Sequence, residues 1–200
     1  RGGPLLHDFL WTVIGTLGAF FLGSAGGILL GLLFVMYPFA EEVLDPFMAA
    51  MNALPRIALA PLFLLWFGLG LSSKIALGAS LTLFIVLSST VAGIRSVDQD
   101  FLTLARTLGA SASQVFSRIT LPNAIPTVFS GLRLGLVYAM LGVVAGEIIG
   151  SEAGLGQRLS YLAGTFHTNG VFAVLALLAL LGTSITWIMS GIEARLLRWQ

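Results

Sequence analysis

The chain has 200 residues, 57% hydrophobic and 10% charged, with a mean hydropathy of +0.98. A soluble domain carries about a quarter charged residues, so much of this surface is built for lipid rather than water. Ten basic and nine acidic side chains leave a formal +1, which gives nucleic acid no footing, and the lack of cysteine excludes disulfides, thiolate metal sites and cysteine nucleophiles.

In chain order, the sequence begins at Arg1 rather than methionine, and "RGGPLLHDFLW" has no apolar core or cleavage site of a signal peptide. Residues 9–36 are uncharged and exceed the ~20 apolar residues that cross a bilayer. Further apolar runs cover residues 46–71, broken by Pro55, Arg56 and Pro61, then 75–94, 123–149 and 171–192. Backbone groups in lipid need internal partners, and the alternation of a membrane barrel is absent, so the spacing predicts helices. The expected fold is an all-α polytopic membrane protein, a bundle of five spans forming a single domain over residues 1–200.

The connectors differ. Residues 37–46, "YPFAEEVLDP", read as a short acidic turn and residues 68–74, "GLGLSSK", as a tight link. Residues 95–122 are long and polar, and residues 150–170 are glycine-rich with a short helix expected near 157–163. Placing 95–122 in the cytoplasm puts Arg95, Arg106, Arg118, Arg195 and Arg198 inside and Arg1, Lys74 and Arg158 outside, a positive-inside bias. The tryptophans at 11, 66, 187 and 199 lie toward span ends, as in interfacial belts.

Gly15, Ala19, Gly23, Gly27 and Gly31 recur at every fourth position of the first span, and Gly142, Gly146 and Gly150 repeat the spacing later. Such faces let backbones approach closely, within one chain or between two copies, and packing within the chain is expected.

Within the polar segment, Ser96 to Gln99 and Ser111 to Gln114 each fit a capping box, and Gly109 stands where the first helix would end. Two short helices joined by a glycine bend are expected, with Pro122 in the first turn of the next span. Leu102, Ala105 and Leu108 make an apolar face on the first helix and Val115, Phe116 and Ile119 one on the second. With only Arg106 and Arg118 to attract anionic lipid, the segment suits a docking surface for a soluble partner better than a rest on headgroups.

Gly109, nine residues, Ile119, one residue and Leu121-Pro122 resemble the "EAA" loop of ABC-importer permeases. "LAPLFLLWFGLGLSSKIAL" (59–77), "VAGIRSVD" (91–98), "SGLRLGL" (130–136) and "AGEIIGSEAGLG" (145–156) resemble the nitrate/sulfonate/taurine-type permeases of that superfamily. The motif's acid falls on Thr103 and its first alanine on Leu104, with only Ala105 matching. The resemblance implies a homodimer in the bacterial inner membrane, two cytoplasmic ATPase subunits and a periplasmic or lipid-anchored solute-binding protein. It implies that Thr103, Leu104, Ala105, Arg106, Gly109, Ala110, Ser111, Ile119, Leu121 and Pro122 form the ATPase-coupling surface. It also implies no cofactor in this chain, with ATP and Mg on the partner, and a further N-terminal helix upstream.

Ionisable residues deep in spans suggest a solute path. Arg56 and Arg133 both suit a small anion, with Ser89 and Glu147 as further candidates, although either arginine could instead pair structurally or snorkel. No phosphate-binding loop and no nucleophile–base pair is present, so the chain is expected to be a transport subunit rather than an enzyme. The alternative is a channel-like or structural membrane subunit without ATP coupling.

Overall fold

The computed structural model describes residues 3–196. Those residues form α1 (Gly3–Met36), α2 (Pro38–Ala53), α3 (Ala60–Phe67), α4 (Leu71–Arg95), α5 (Gln99–Thr107), α6 (Ala112–Val115), α7 (Leu121–Ile149), α8 (Leu155–Gly164) and α9 (Thr168–Leu196). Among them four helical stretches are long and apolar enough to cross a bilayer: 5–36, 71–95, 112–149 and 168–195. A pair of helices bent by 83°, Phe39–Met51 and Arg56–Phe67, brings the total to five when counted as one span. Arg1, Arg198 and Trp199 lie outside the described residues.

Proline chemistry explains the bend. Pro55 disfavours helix at the preceding residue, and Leu54 is extended at φ −72° and ψ 133°, closing α2. A single 3-10 turn, Arg56–Leu59, follows before Pro61 opens α3. Gly68, at φ +77°, ends α3 with its N–H donated to the Leu64 carbonyl. The 37–46 stretch is not the turn that its composition suggests. Tyr37 is an N-cap, a proline occupies the first turn, and the helix dipole favours Glu41 near that end.

The polar segment also departs from expectation. Asp98, not Ser96, caps α5, accepting the Asp100 N–H at 2.9 Å. Helix α4 runs through Arg95, so the Ser96 hydroxyl closes it by donating to the Gly93 carbonyl at 2.8 Å. The second capping box is complete: Gln114 N–H meets the Ser111 oxygen at 3.3 Å and the Gln114 amide oxygen accepts Ser111 N–H at 2.8 Å. Helix α6 does not stop before Pro122. It passes through a π turn, Phe116–Thr120, into α7 as one stretch over residues 112–149. The wider turn accommodates the clash of a proline ring with the carbonyl four residues back.

Helices α1, α4 and α7 form the core and meet backbone to backbone. A Cβ on Gly23 would fall 2.7 Å from the Ala79 carbonyl oxygen, and one on Gly27 would fall 2.6 Å from that of Leu83. Gly31 likewise faces Thr90 of α4, so the small-residue stripe of α1 is filled by this chain itself. At the crossing, Gly142 of α7 lies against the Gly78 Cα, beside the buried cluster of Ala19, Ala139 and Val143. Helices α8 and α9 pack beside α7, with Leu155 at 0% exposure as a plug among Val174, Leu181 and Phe9.

Candidate functional site

The end of the bundle reached by α4 and left by α7 carries the 95–122 segment. On α5 and its C-cap, Phe101, Leu104 and Leu108 are 61%, 56% and 79% exposed, an apolar stripe at positions i, i+3 and i+7 facing away from the protein. Leu102 and Ala105 are half-buried on the other side. The expected apolar face therefore splits: Leu108, the C-cap residue just past the helix, joins the outward stripe. On the second helix Val115 is buried and Phe116 and Ile119 half-buried, as the spacing predicts.

The bend at Gly109 has a defined geometry. Its φ is +85°, its N–H donates to the Arg106 carbonyl at 3.0 Å, and Ala110 N–H donates to the Ala105 carbonyl at 3.0 Å. That pair of bonds is a Schellman motif, which requires a left-handed residue at Gly109. Thr103, Leu104, Arg106, Ser111 and Leu121 are exposed around it, while Ala105, Ala110, Ile119 and Pro122 are half-buried. The Thr103 hydroxyl donates to the Gln99 carbonyl at 2.9 Å. At the same end Arg95 pairs with Glu41, tying the start of α2 to the base of the segment.

The four candidates within spans have separate surroundings. Arg56 sits in the break between α2 and α3, its guanidinium 4.0 Å from the Phe84 ring centroid, a contact worth about 0.5–2 kcal/mol. Ser89 of α4 is set against Gly131 of α7. Arg133 lies 3.4 Å from Glu193 of α9, the structural pairing that the sequence left open. Glu147 is 1% exposed and lies at the far end of α7.

Around Glu147 is a polar cluster that sequence reasoning missed. Its members include Asp8 and Thr12 of α1, Lys74 of α4 and the first amides of α8. Lys74, expected in a tight link between spans, is fully buried on α4 and donates to the Leu69 carbonyl. The available signal was the i, i+4 spacing of Asp8 and Thr12 together with the glycines at 154 and 156.

Comparison with known proteins fits this geometry. Residues 9–198 match the family model of the binding-protein-dependent transport system inner membrane component. The riboflavin transport system permease protein RibX of Chloroflexus aurantiacus is 39% identical over 161 residues, 80% of this chain and 60% of that protein. The taurine transport system permease protein TauC of Escherichia coli is 33% identical over 181 residues, 90% of this chain and 66% of that protein. The chain thus spans about three fifths to two thirds of the length of these relatives. A structure of the MetNI methionine ABC transporter in an inward-facing form superposes with a TM-score of 0.81 at 20% identity, covering 97% of this chain and 96% of that one. With the same helical fold, multiple spans and a family match over nearly its whole length, the chain belongs to the family of binding-protein-dependent transport system inner membrane components.

Proposed function

We propose that the chain is the membrane-spanning permease domain of an ATP-driven importer, working as a homodimer. Two cytoplasmic ATPase subunits, which carry the ATP and Mg, dock on residues 95–122, and a solute-binding protein delivers its load at the opposite end. One observation carries the reading. A family of membrane transport components includes this chain, and the chain turns three large apolar side chains outward on a short polar helix at one end of its bundle. In water such a stripe costs free energy unless something covers it. The ten residues from Thr103 to Pro122 named above form the coupling surface, with Gly109 as its joint.

The solute is small and anionic in this reading. Arg56 and Arg133 supply positive charge along the path, with Ser89 and Glu147 as its further candidates; Ser89 sits against Gly131 and Glu147 is buried against α8. The relatives are named for riboflavin and taurine, so the fold itself admits varied cargo. Arg56→Gln is expected to lower uptake of an anion about tenfold or more, the loss of a charge-assisted hydrogen bond of roughly 1.5–3 kcal/mol. Vesicle uptake across a panel of taurine, nitrate and short alkanesulfonates checks this, with Arg56→Lys restoring part of the activity. Equal uptake by the glutamine variant rules Arg56 out of the path.

The reading as a whole is tested by co-purifying the full-length protein with a nucleotide-hydrolysing subunit and reconstituting both in vesicles. Loaded binding protein should stimulate ATP hydrolysis and solute should accumulate. Solute leakage with no bound ATPase would instead identify a channel-like subunit.

A further inference from the structure

At the end of the bundle opposite residues 95–122, the start of α8 is bound to α1 and α7 by buried polar groups in addition to the apolar plug of Leu155. Three successive amides take part. Gly154 N–H donates to Asp8 Oδ1 at 3.2 Å, Leu155 N–H to the Thr12 hydroxyl oxygen at 2.9 Å, and Gly156 N–H to Glu147 Oε2 at 2.8 Å. The Thr12 hydroxyl in turn donates toward the Glu147 carboxylate, 2.9 Å from both oxygens. Arg158 Nε closes the ring at 3.0 Å from Asp8 Oδ2. The Lys74 side chain runs alongside, its Cγ 3.3 Å from where a Cβ on Gly146 would lie.

Two features make this more than a satisfied core. Opening amides of a helix lack intrahelical partners, and carboxylates are favoured there. An apolar join would hold the same helices at least as well, because buried charges bring a desolvation penalty that their pairing only offsets. What the polar join adds is direction: three hydrogen bonds fix the azimuth and height of α8 as sliding apolar surfaces do not. Gly154 and Gly156 permit the fit, since a Cβ at 154 would fall 2.3 Å from the Glu147 carboxyl carbon. Glu147 also lies in the last turn of the continuous helical stretch, residues 112–149, whose other end is the coupling segment. That stretch is about 57 Å long at 1.5 Å per residue.

We propose that Asp8, Thr12 and Glu147 are positioning residues that lock α8 to the far end of α7, so that α8 moves whenever the 95–122 segment displaces α7. The inference rests on the importer reading. Along this route a push on the coupling surface arrives at α8 and at the exposed Tyr161 and Phe166 near its end, where a soluble partner on that side would meet it.

The chain has no cysteine, so Tyr161→Cys gives a single reporter on α8. In vesicles holding the complete transporter, the labelling rate of that cysteine by a membrane-impermeant maleimide is compared with and without ATP plus vanadate. The reporter chain should label at different rates in the two states. Adding Thr12→Val, which keeps side-chain shape but removes the hydroxyl relay, should abolish that difference and lower solute moved per ATP hydrolysed. Thr12→Ser should restore both. Should the valine chain fail to assemble, Asp8→Asn, which keeps an acceptor for Gly154 but drops the Arg158 pair, carries the same expectation in reduced form. A reporter insensitive to nucleotide, or a valine chain with an unchanged labelling difference, overturns the lock. Absence of binding-protein-stimulated hydrolysis in the reporter chain overturns the importer reading instead.

Discussion

Replacing Gly78 with valine is expected to destabilise the packing of the three core helices strongly. A Cβ at this position would lie 2.7 Å from the Ala19 methyl, 2.8 Å from the Ala139 carbonyl oxygen and 3.1 Å from a Val143 methyl. The carbonyl belongs to the α7 backbone and cannot rotate away, so relief requires α4 and α7 to separate. Separation forfeits contacts along the whole crossing, including the approach of Gly142 to the Gly78 Cα. In lipid, close contact is the main attraction between helices, because tails are as apolar as the side chains they would replace. Overpacking in a well-filled core costs about 1–3 kcal/mol, and backbone on both sides puts this case at the upper limit or beyond. Against a total stability of roughly 5–15 kcal/mol, the protein should express poorly and melt early in detergent. Gly191 on α9, with nothing within 4 Å, is the matched control, and valine there should stay within about 0.5 kcal/mol of the parent. Similar melting of the two variants would mean that α4 and α7 are not in backbone contact.

The spans were readable in the sequence because lipid imposes one strong rule, and long uncharged runs obey it. The bend near Arg56 was equally local: two prolines six residues apart flank it. Gly109 and the Ser111 cap were visible for the same reason, since their bonds reach five residues at most. Where two local signals competed, tertiary length decided. Ser96 has the chemistry of an N-cap, but α4 runs on through Arg95, just past its apolar run, and takes Ser96 as its C-cap. The α8 lock was invisible because its partners lie far apart in the chain; Thr12 and Glu147 are separated by 135 residues. A threonine on an apolar helix reads by default as bonded to its own backbone. Thr12 does reach the Asp8 carbonyl at 3.2 Å, yet it also serves α7 and α8. Lys74 misled for a related reason: next to a glycine turn it looks like surface, and only the fold shows α7 lying across it.

Gly109→Val is expected to uncouple ATP hydrolysis from transport, and the argument isolates backbone conformation from packing. Nothing lies within 4 Å of a Cβ at this position, so the added methyl groups have room. The obstacle is φ at +85°, a region that β-branched residues avoid at a cost of about 1–2 kcal/mol or more. A valine relieves that strain by leaving the left-handed region, which breaks the bonds from Gly109 to Arg106 and from Ala110 to Ala105. Without the Schellman closure α5 swings away from α6, and the stripe of Phe101, Leu104 and Leu108 no longer holds its angle to α7. Because α6 continues into α7 through the π turn, the importer reading makes that angle the link between motion at the surface and motion of the span. Solute moved per ATP hydrolysed should therefore fall at least about tenfold, the factor that ~1.4 kcal/mol of lost bias between two states yields. Melting temperature should barely change, since α5 contributes little to the core. Gly109→Asn is the decisive companion. Asparagine tolerates the left-handed region, so it should retain most of the coupling despite being bulkier than glycine. If asparagine and valine fail alike, space around the joint matters rather than its φ; if valine transports normally, the bend is not a lever.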